Sequence, residues 1–221
     1  MRVLVAQPNH ESGLEQLLEE LQQQELFDAV LYPEGYVADE NGVAVLCDIA
    51  KQYKKLVITG YRDRYKKDRA LMIHSSGKII LERAKSPMDE LLYSPSVAEA
   101  DDLQIGYLLC VEILQVLTGL ERQAEHMDFI AHPIGVGMFS EDQFAEWIEA
   151  ATRIALKYKT VIIGTSHADG SYRNCGISIP ISYCIDASGQ PLYISQNDTR
   201  SWIINLKTGQ VDVMRGKECI E

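Results

Sequence analysis

Three residues that could act together as a thiol hydrolase lie far apart in the chain, each where an apolar run stops: Glu34, Lys85 and Cys110. Cys110 closes the run Ile105 to Leu109, which reads as a buried strand, and Glu112 follows two residues later. A cysteine where a strand gives way to a helix can face a cleft with helix amides beside its sulfur, and both amides and helix dipole favour thiolate over thiol. Glu34 ends the segment AVLYPEG, where Pro33 stiffens the turn and Gly35 permits unusual dihedrals. Lys85 follows KIILERA, a stretch in which Lys78 and Arg83 also stand, so position alone leaves the cation open among the three. Together these groups have what covalent acyl transfer requires. The carboxylate takes the thiol proton, the sulfur attacks an electrophilic carbon, and the cation stabilises the developing oxyanion. The amide of Val111, just past the cysteine, is a candidate second oxyanion donor. The carboxylate then protonates the leaving amine and activates water.

Such groups need elements that carry them to one place, and a weak internal echo suggests how. DAVLYPEG (Asp28 to Gly35) resembles DFIAHPIG (Asp128 to Gly135). An apolar strand precedes each, VLVAQ or QIGYLLC. A helix and a glycine-containing strand, KLVITG or TVIIGT, follow each. A hairpin pattern at Ser76–Gly77 or Ser188–Gly189 closes each half. The position equivalent to Glu34 is Ile134, so the fold itself does not demand a carboxylate there. Ser12 stands three residues before Glu15, a capping-box spacing, ahead of Leu14, Leu17, Leu18 and Leu21. Asp39 or Asn41 caps a helix that turns Val43, Leu46, Cys47, Ala50 and Tyr53 inward. Ser140, with Gln143 three residues on, starts one that buries Phe144, Trp147, Ile148, Ala151, Ile154 and Ala155. Strand–helix–strand–helix order followed by hairpins predicts an α/β layer fold. Two such halves pack most simply sheet against sheet with helices outside, a four-layer αββα sandwich; a single doubly wound sheet is the competing architecture.

Composition narrows the function classes. The 221 residues, 46% of them apolar and 24% charged, fit one domain over 1–221 with a substantial core. A formal net charge of −11 makes nucleic acid and anionic membrane poor partners. Neither a signal peptide nor a run near the ~20 apolar residues of a membrane span is visible. The five cysteines form no Cys-x-x-Cys pair, and the odd count argues against a disulfide framework, so a reducing cytoplasm is expected. His10, His74, His126, His132 and His167 show no metal-ligand spacing. Gly135–Val136–Gly137 is no phosphate loop, and the first strand lacks a nucleotide fingerprint. No metal or cofactor is expected. His132 and His167 fall at predicted strand ends on the rim that holds Cys110. Either could serve a Cys–His hydrolase as base, or contact substrate. Tyr61 and Tyr172 are further candidates to line the cleft.

PEG at Pro33 to Gly35, ERAKSP around Lys85 and IGYLLCVE around Cys110 stand in the order and at spacings similar to the carbon–nitrogen hydrolase (nitrilase) superfamily. VLVAQP, SGKIILERAK, MDFIAHP and ISYCIDASGQPL extend the resemblance over nearly the whole chain. The resemblance implies the αββα sandwich, with Glu34 as general base, Lys85 as oxyanion stabiliser and Cys110 as nucleophile. Glu112 resembles the acidic residue that follows the family nucleophile by two, with a supporting role. Glu90 is the nearest match to a second glutamate that many amidases of the family use. Val111 stands where nitrile-cleaving members often place Trp, which favours a small amide as substrate; a nitrile is the alternative. Val116 and Leu117 replace a Pro-Glu pair common in the family, and the chain is shorter than typical members. The resemblance implies an open cleft, or one closed by a partner subunit in a homodimer or larger homo-oligomer; the apolar run Ile113 to Leu117 suits the contact. A catalytically silent small-molecule-binding or interaction protein on the same scaffold is the rival from another class.

Overall fold

Strands apolar on both faces need cover on both sides, and the runs around Val3, Val30, Val57, Ile130 and Ile162 are of that kind. A computed structural model shows how the cover is supplied; it describes residues 1–9, 13–23, 26–115, 119–120, 124, 126–169 and 178–214. The first half contains β1 (Arg2–Val5), α1 (Glu15–Leu21), β2 (Ala29–Leu31), α2 (Glu40–Tyr53) and β3 (Leu56–Arg62). The hairpin of β4 (Asp68–Ile73) and β5 (Ile79–Ala84) follows, then β6 (Val97–Ala100). The second half repeats the order with β7 (Leu103–Tyr107), a 3₁₀ turn (Cys110–Leu114), β8 (Phe129–Pro133), α3 (Glu141–Tyr158) and β9 (Val161–Thr165). The hairpin of β10 (Ile181–Ile185) and β11 (Pro191–Gln196) comes next, and β12 (Trp202–Asn205) and β13 (Val211–Val213) end the described chain.

These strands form two sheets, ordered β13-β12-β1-β2-β3-β4-β5 and β11-β10-β9-β8-β7-β6. In each, three parallel strands are extended by an antiparallel hairpin. Each half then hands its next strand to the other sheet: β6 pairs with β7, and β12 pairs with β1. That exchange ties the halves together. One apolar layer lies between the sheets and includes Val5, Leu31, Ile58, Met72, Ile105, Tyr107, Leu109, Phe129 and Ile163. A second lies between the first sheet and α1 and α2, and a third between the second sheet and α3. The architecture is the αββα sandwich, and the single doubly wound sheet is excluded by the two separate strand orders.

The sequence echo has a structural cause at its first residue. The Asp28 amide donates to the Arg2 carbonyl while its carboxylate accepts from the Arg2 amide, and Asp128 does the same with Gln104. Both hairpins turn through a left-handed glycine, Gly77 (φ 85°) and Gly189 (φ 78°), the conformation a Cβ disfavours. Asp39 caps α2 by accepting from the amides of Asn41 and Gly42, so Asn41 is not the cap. Ser140 caps α3 through the Gln143 amide. Ile49 and Ala150 join the inward faces of these helices, while Cys47, Tyr53, Phe144 and Ile148 are only partly buried. The capping role expected of Ser12 lies outside the described residues; α1 starts after Leu14, with no side-chain cap. No helix among the described residues is long and apolar enough to cross a membrane.

Candidate active site at the junction of the sheets

The carboxyl ends of the parallel strands in both sheets meet at the same edge of the interface. There the two equivalent positions of the echo touch: the Glu34 amide donates to the Ile134 carbonyl at 3.2 Å. The turn carrying Glu34 is fixed from several sides. Thr59 Oγ1 donates to the Pro33 carbonyl (2.8 Å) and the Gly35 amide to the Gly60 carbonyl (3.0 Å). Glu34 is thereby held almost wholly buried, 2% exposed. Lys85 leaves β5 with its amide bonded to the Asp68 carbonyl, and its Nζ donates to Glu34 Oε1 at 2.8 Å. Of the three candidate cations it is the one at this carboxylate. Lys78 is exposed, and Arg83 is buried on another partner.

Cys110 stands at the first position of the 3₁₀ turn with φ 54°, a left-handed conformation uncommon for a residue with a Cβ. The Glu34 side chain and the Gly135 amide lie against its thiol. Burial is the largest influence on the thiol, pushing its pKa up to about 12. The Glu34 charge adds to the rise, and Lys85 and the Gly135 amide offset it only in part. The sequence-based expectation of a thiolate-favouring setting is corrected here. A five-residue 3₁₀ turn supplies little dipole, and desolvation outweighs the cation. The resting group is a thiol beside the Glu34 side chain. At Lys85 burial opposes the charge, but Cys110 once ionised, the charge of Glu34 and the bond to Glu34 raise its pKa overall, so it is an ammonium.

Glu112 binds the two flanks of the site together. Its Oε1 accepts from Arg83 Nη1 and the Ser86 amide, and its Oε2 from Arg83 Nη2 and the Leu109 amide, all at 2.7 Å. Arg83 and Ser86 bracket Lys85, and Leu109 precedes Cys110. One buried carboxylate therefore fixes lysine and cysteine relative to each other.

Solved structures share the fold that carries these residues. A CN-hydrolase superfamily protein of Xanthomonas campestris, solved with an arsenic adduct in its active site, superposes with a TM-score of 0.73 at 15% identity. That match covers 92% of this chain and 89% of the other. A carbon–nitrogen hydrolase of Helicobacter pylori gives 0.73 at 13% identity, covering 95% and 90%. An amidase of Nesterenkonia sp. gives 0.73 at 14%, covering 92% and 89%. The chain has the carbon–nitrogen hydrolase fold. No protein-family model and no curated protein sequence matches it.

On this fold the remaining candidates take definite places. Val111 is second in the 3₁₀ turn. The first amide to bond back is that of Glu112, to the Leu109 carbonyl, so the Val111 amide precedes the turn's own bonding. Glu90 is not brought to the site. It is exposed, and its carboxylate accepts from the Tyr93 hydroxyl at 2.8 Å. His132 and His167 are wholly buried. His132 Nε2 lies 2.8 Å from the Cys110 carbonyl and His167 Nε2 lies 3.0 Å from the Glu34 carbonyl, main-chain acceptors rather than the sulfur. Neither of these contacts is that of a Cys–His base. Tyr61 packs on the α2 side and bonds Glu82, away from the cleft. Tyr172 lies outside the described residues. In the run Ile113 to Leu117, Ile113 is buried and Leu114 exposed, and Val116 and Leu117 lie outside the described residues. Among the described residues no group of three or more His, Cys, Asp or Glu could hold a metal ion.

Sequence reasoning missed the Gly135 amide and the role of Arg83. Strand parity on β5 was a usable signal for the last: Leu81, Arg83 and Lys85 alternate onto one face, and Leu81 and Arg83 are buried. The amide of Gly135 had none, because a backbone donor leaves no mark in residue type.

Proposed function

We propose that this protein is a cofactor-free thiol hydrolase that cleaves the C–N bond of a small non-peptide amide through a thioester at Cys110. The observation that carries the reading is the contact of one buried carboxylate with both a thiol and an ammonium, Glu34 with Cys110 and with Lys85 at 2.8 Å. Glu34 takes the thiol proton as sulfur bonds to the carbonyl carbon. The ammonium of Lys85 and the Val111 amide hold the oxygen that becomes negative. The tetrahedral adduct collapses as Glu34 returns the proton to the leaving nitrogen, releasing amine and leaving the thioester. Glu34 then takes a proton from water, hydroxide adds to the thioester, and collapse of that adduct restores the thiol and frees the acid. Amide and water are consumed, and carboxylic acid and amine are formed.

The raised thiol pKa suits this order of events: a sulfur that ionises only as it attacks needs an adjacent base, and Glu34 is placed as one. Cysteine adducts seen in the Nesterenkonia amidase, including addition of the acetamide moiety of fluoroacetamide in a Glu-to-Gln mutant, support a nucleophilic cysteine by analogy of fold, though these adducts are alkylated rather than acylated sulfur. The decisive test is intact-mass analysis after incubation with a panel of small amides, with ammonia or amine release in parallel. An acyl adduct confined to Cys110, lost with all turnover in Cys110→Ala, is expected. Release from nitriles alone would move the substrate class. Sluggish, equal alkylation of every cysteine without acylation would replace the hydrolase with a binding protein.

A further inference from the structure

The geometry points to His132 and Tyr183 as a positioning pair that holds the nucleophile in its strained conformation; the inference rests on Cys110 being the nucleophile. A carbonyl oxygen only accepts, so the 2.8 Å contact between His132 Nε2 and the Cys110 carbonyl places the proton on Nε2. On the other side of the ring, Nδ1 lies 2.5 Å from the Tyr183 hydroxyl. Burial keeps the imidazole neutral, with its pKa lowered to about 4, and keeps the phenol protonated. Tyr183 therefore donates and Nδ1 accepts. The carbonyl fixes the tautomer, and the phenol, donating to Nδ1, satisfies the other side of the ring and holds it in place.

The pair acts on a residue that needs it. Cys110 sits at φ 54°, where a Cβ crowds its own backbone, and such a conformation persists only where neighbours over-determine it. Anchoring the carbonyl fixes the peptide plane beyond Cys110, which also carries the Val111 amide. The same bond thus aims both the sulfur and the expected oxyanion donor. The second sheet is built around the phenol. Tyr183 on β10 is opposite Gly164 on β9, and a Cβ at Gly164 would lie 2.5 Å from two atoms of the Tyr183 ring. No other residue type fits there without moving the ring. Trp147 from α3 lies against the imidazole at 5.6 Å between centroids, closing the ring's remaining freedom. His167, through Nε2 at 3.0 Å, reaches the Glu34 carbonyl in a similar way, so a buried ring contacts the main chain of both the thiol and the carboxylate residue.

The test uses the rate of Cys110 carbamidomethylation by iodoacetamide, read by mass spectrometry on the full chain, together with ¹⁵N NMR of the histidine rings. In the wild type His132 should show the Nε2–H tautomer with Nδ1 as acceptor. Tyr183→Phe leaves Nδ1 buried without its partner and the ring less firmly held, and should lower the Cys110 labelling rate about tenfold. His132→Ala should lower it about a hundredfold, the scale of a small misplacement of reacting groups. His132→Gln, whose amide can reach the same carbonyl, should recover most of the loss. Gly164→Ala should mimic Tyr183→Phe. An Nδ1–H tautomer in the wild type overturns the inference even if every variant fails to fold. So do wild-type labelling rates in folded Tyr183→Phe and His132→Ala. If these rate changes appear but no amide ever acylates Cys110, the clamp stands and the hydrolase reading falls.

Discussion

Replacing Glu112 by Gln tests whether one buried carboxylate assembles the site. The substitution keeps shape and size but turns one oxygen into an NH₂. Each Glu112 oxygen accepts two hydrogen bonds, from Arg83 and Ser86 or from Arg83 and Leu109. Whichever way the amide turns, two donors therefore face a donor. Hydrogen bonds involving a charged group contribute about 1.5–3 kcal/mol each, so losing two costs about 3–6 kcal/mol. A second route to the number agrees. Arg83, its side chain 3% exposed, is left as an unpaired buried cation, a loss of about 3–5 kcal/mol. At this chain length each kcal/mol lowers the melting temperature by about 2–4 °C, so a fall on the order of 10 °C is expected by calorimetry. The double change Arg83→Met with Glu112→Leu removes both charges and should recover much of that stability, because apolar pairs often replace buried ion pairs at little cost. It should not recover Cys110 acylation, since the segments on either side of Lys85 and Cys110 are no longer bound to each other. A melting temperature within 2 °C of wild type in the single variant would refute the clamp. Restored acylation in the double variant would refute its role in placing the site.

Wild-type Cys110 should alkylate at a rate nearly flat from pH 7 to 9. In Glu34→Gln the rate should climb about tenfold per pH unit, because a buried thiol without its base reacts only through the free thiolate; a steep climb in the wild type would count against Glu34 as base. Lys85→Met should slow acylation in single-turnover measurements by about 10²–10³-fold, the loss typical of one oxyanion donor, and an unchanged rate would remove Lys85 from that role. His132 makes stability acid-sensitive. Its folded pKa of about 4 lies below the ordinary 6.5 under the influence of burial and of nearby Lys85, so below pH 6.5 the unfolded chain takes a proton that the folded chain refuses. Its contribution is complete above pH 6.5 and is lost as pH falls toward 4, about 2 kcal/mol by pH 5. Urea midpoints for wild type and His132→Gln at pH 7 and pH 5 check this, and equal pH dependence in the two proteins would contradict it.

The layered fold was legible because it rests on local and repeating signals. Apolar runs too short for helices alternate with helices that carry their own caps. The echoed aspartates, Asp28 and Asp128, mark equivalent strand entries. The places of Glu34, Lys85 and Cys110 were legible as strand ends. Glu90 was misplaced because nearness in sequence to Lys85 says nothing about direction once the chain has left β5. The histidines were placed at the rim of Cys110, but their main-chain contacts to Cys110 and Glu34 were not foreseen. A strand end fixes where a ring starts, and only the opposing sheet fixes which atom its nitrogen meets.

Residue type and order were enough to determine two half-repeats, their apolar faces, and a carboxylate, a cation and a thiol at strand ends, because periodicity and turn chemistry act within a few residues. The electrostatic character of the thiol was decided only by the packed molecule. Helix amides expected beside Cys110 would favour ionisation, yet the assembled interface desolvates the sulfur and sets a carboxylate against it. Desolvation depends on every layer that closes over an atom, and those layers come from both halves of the chain.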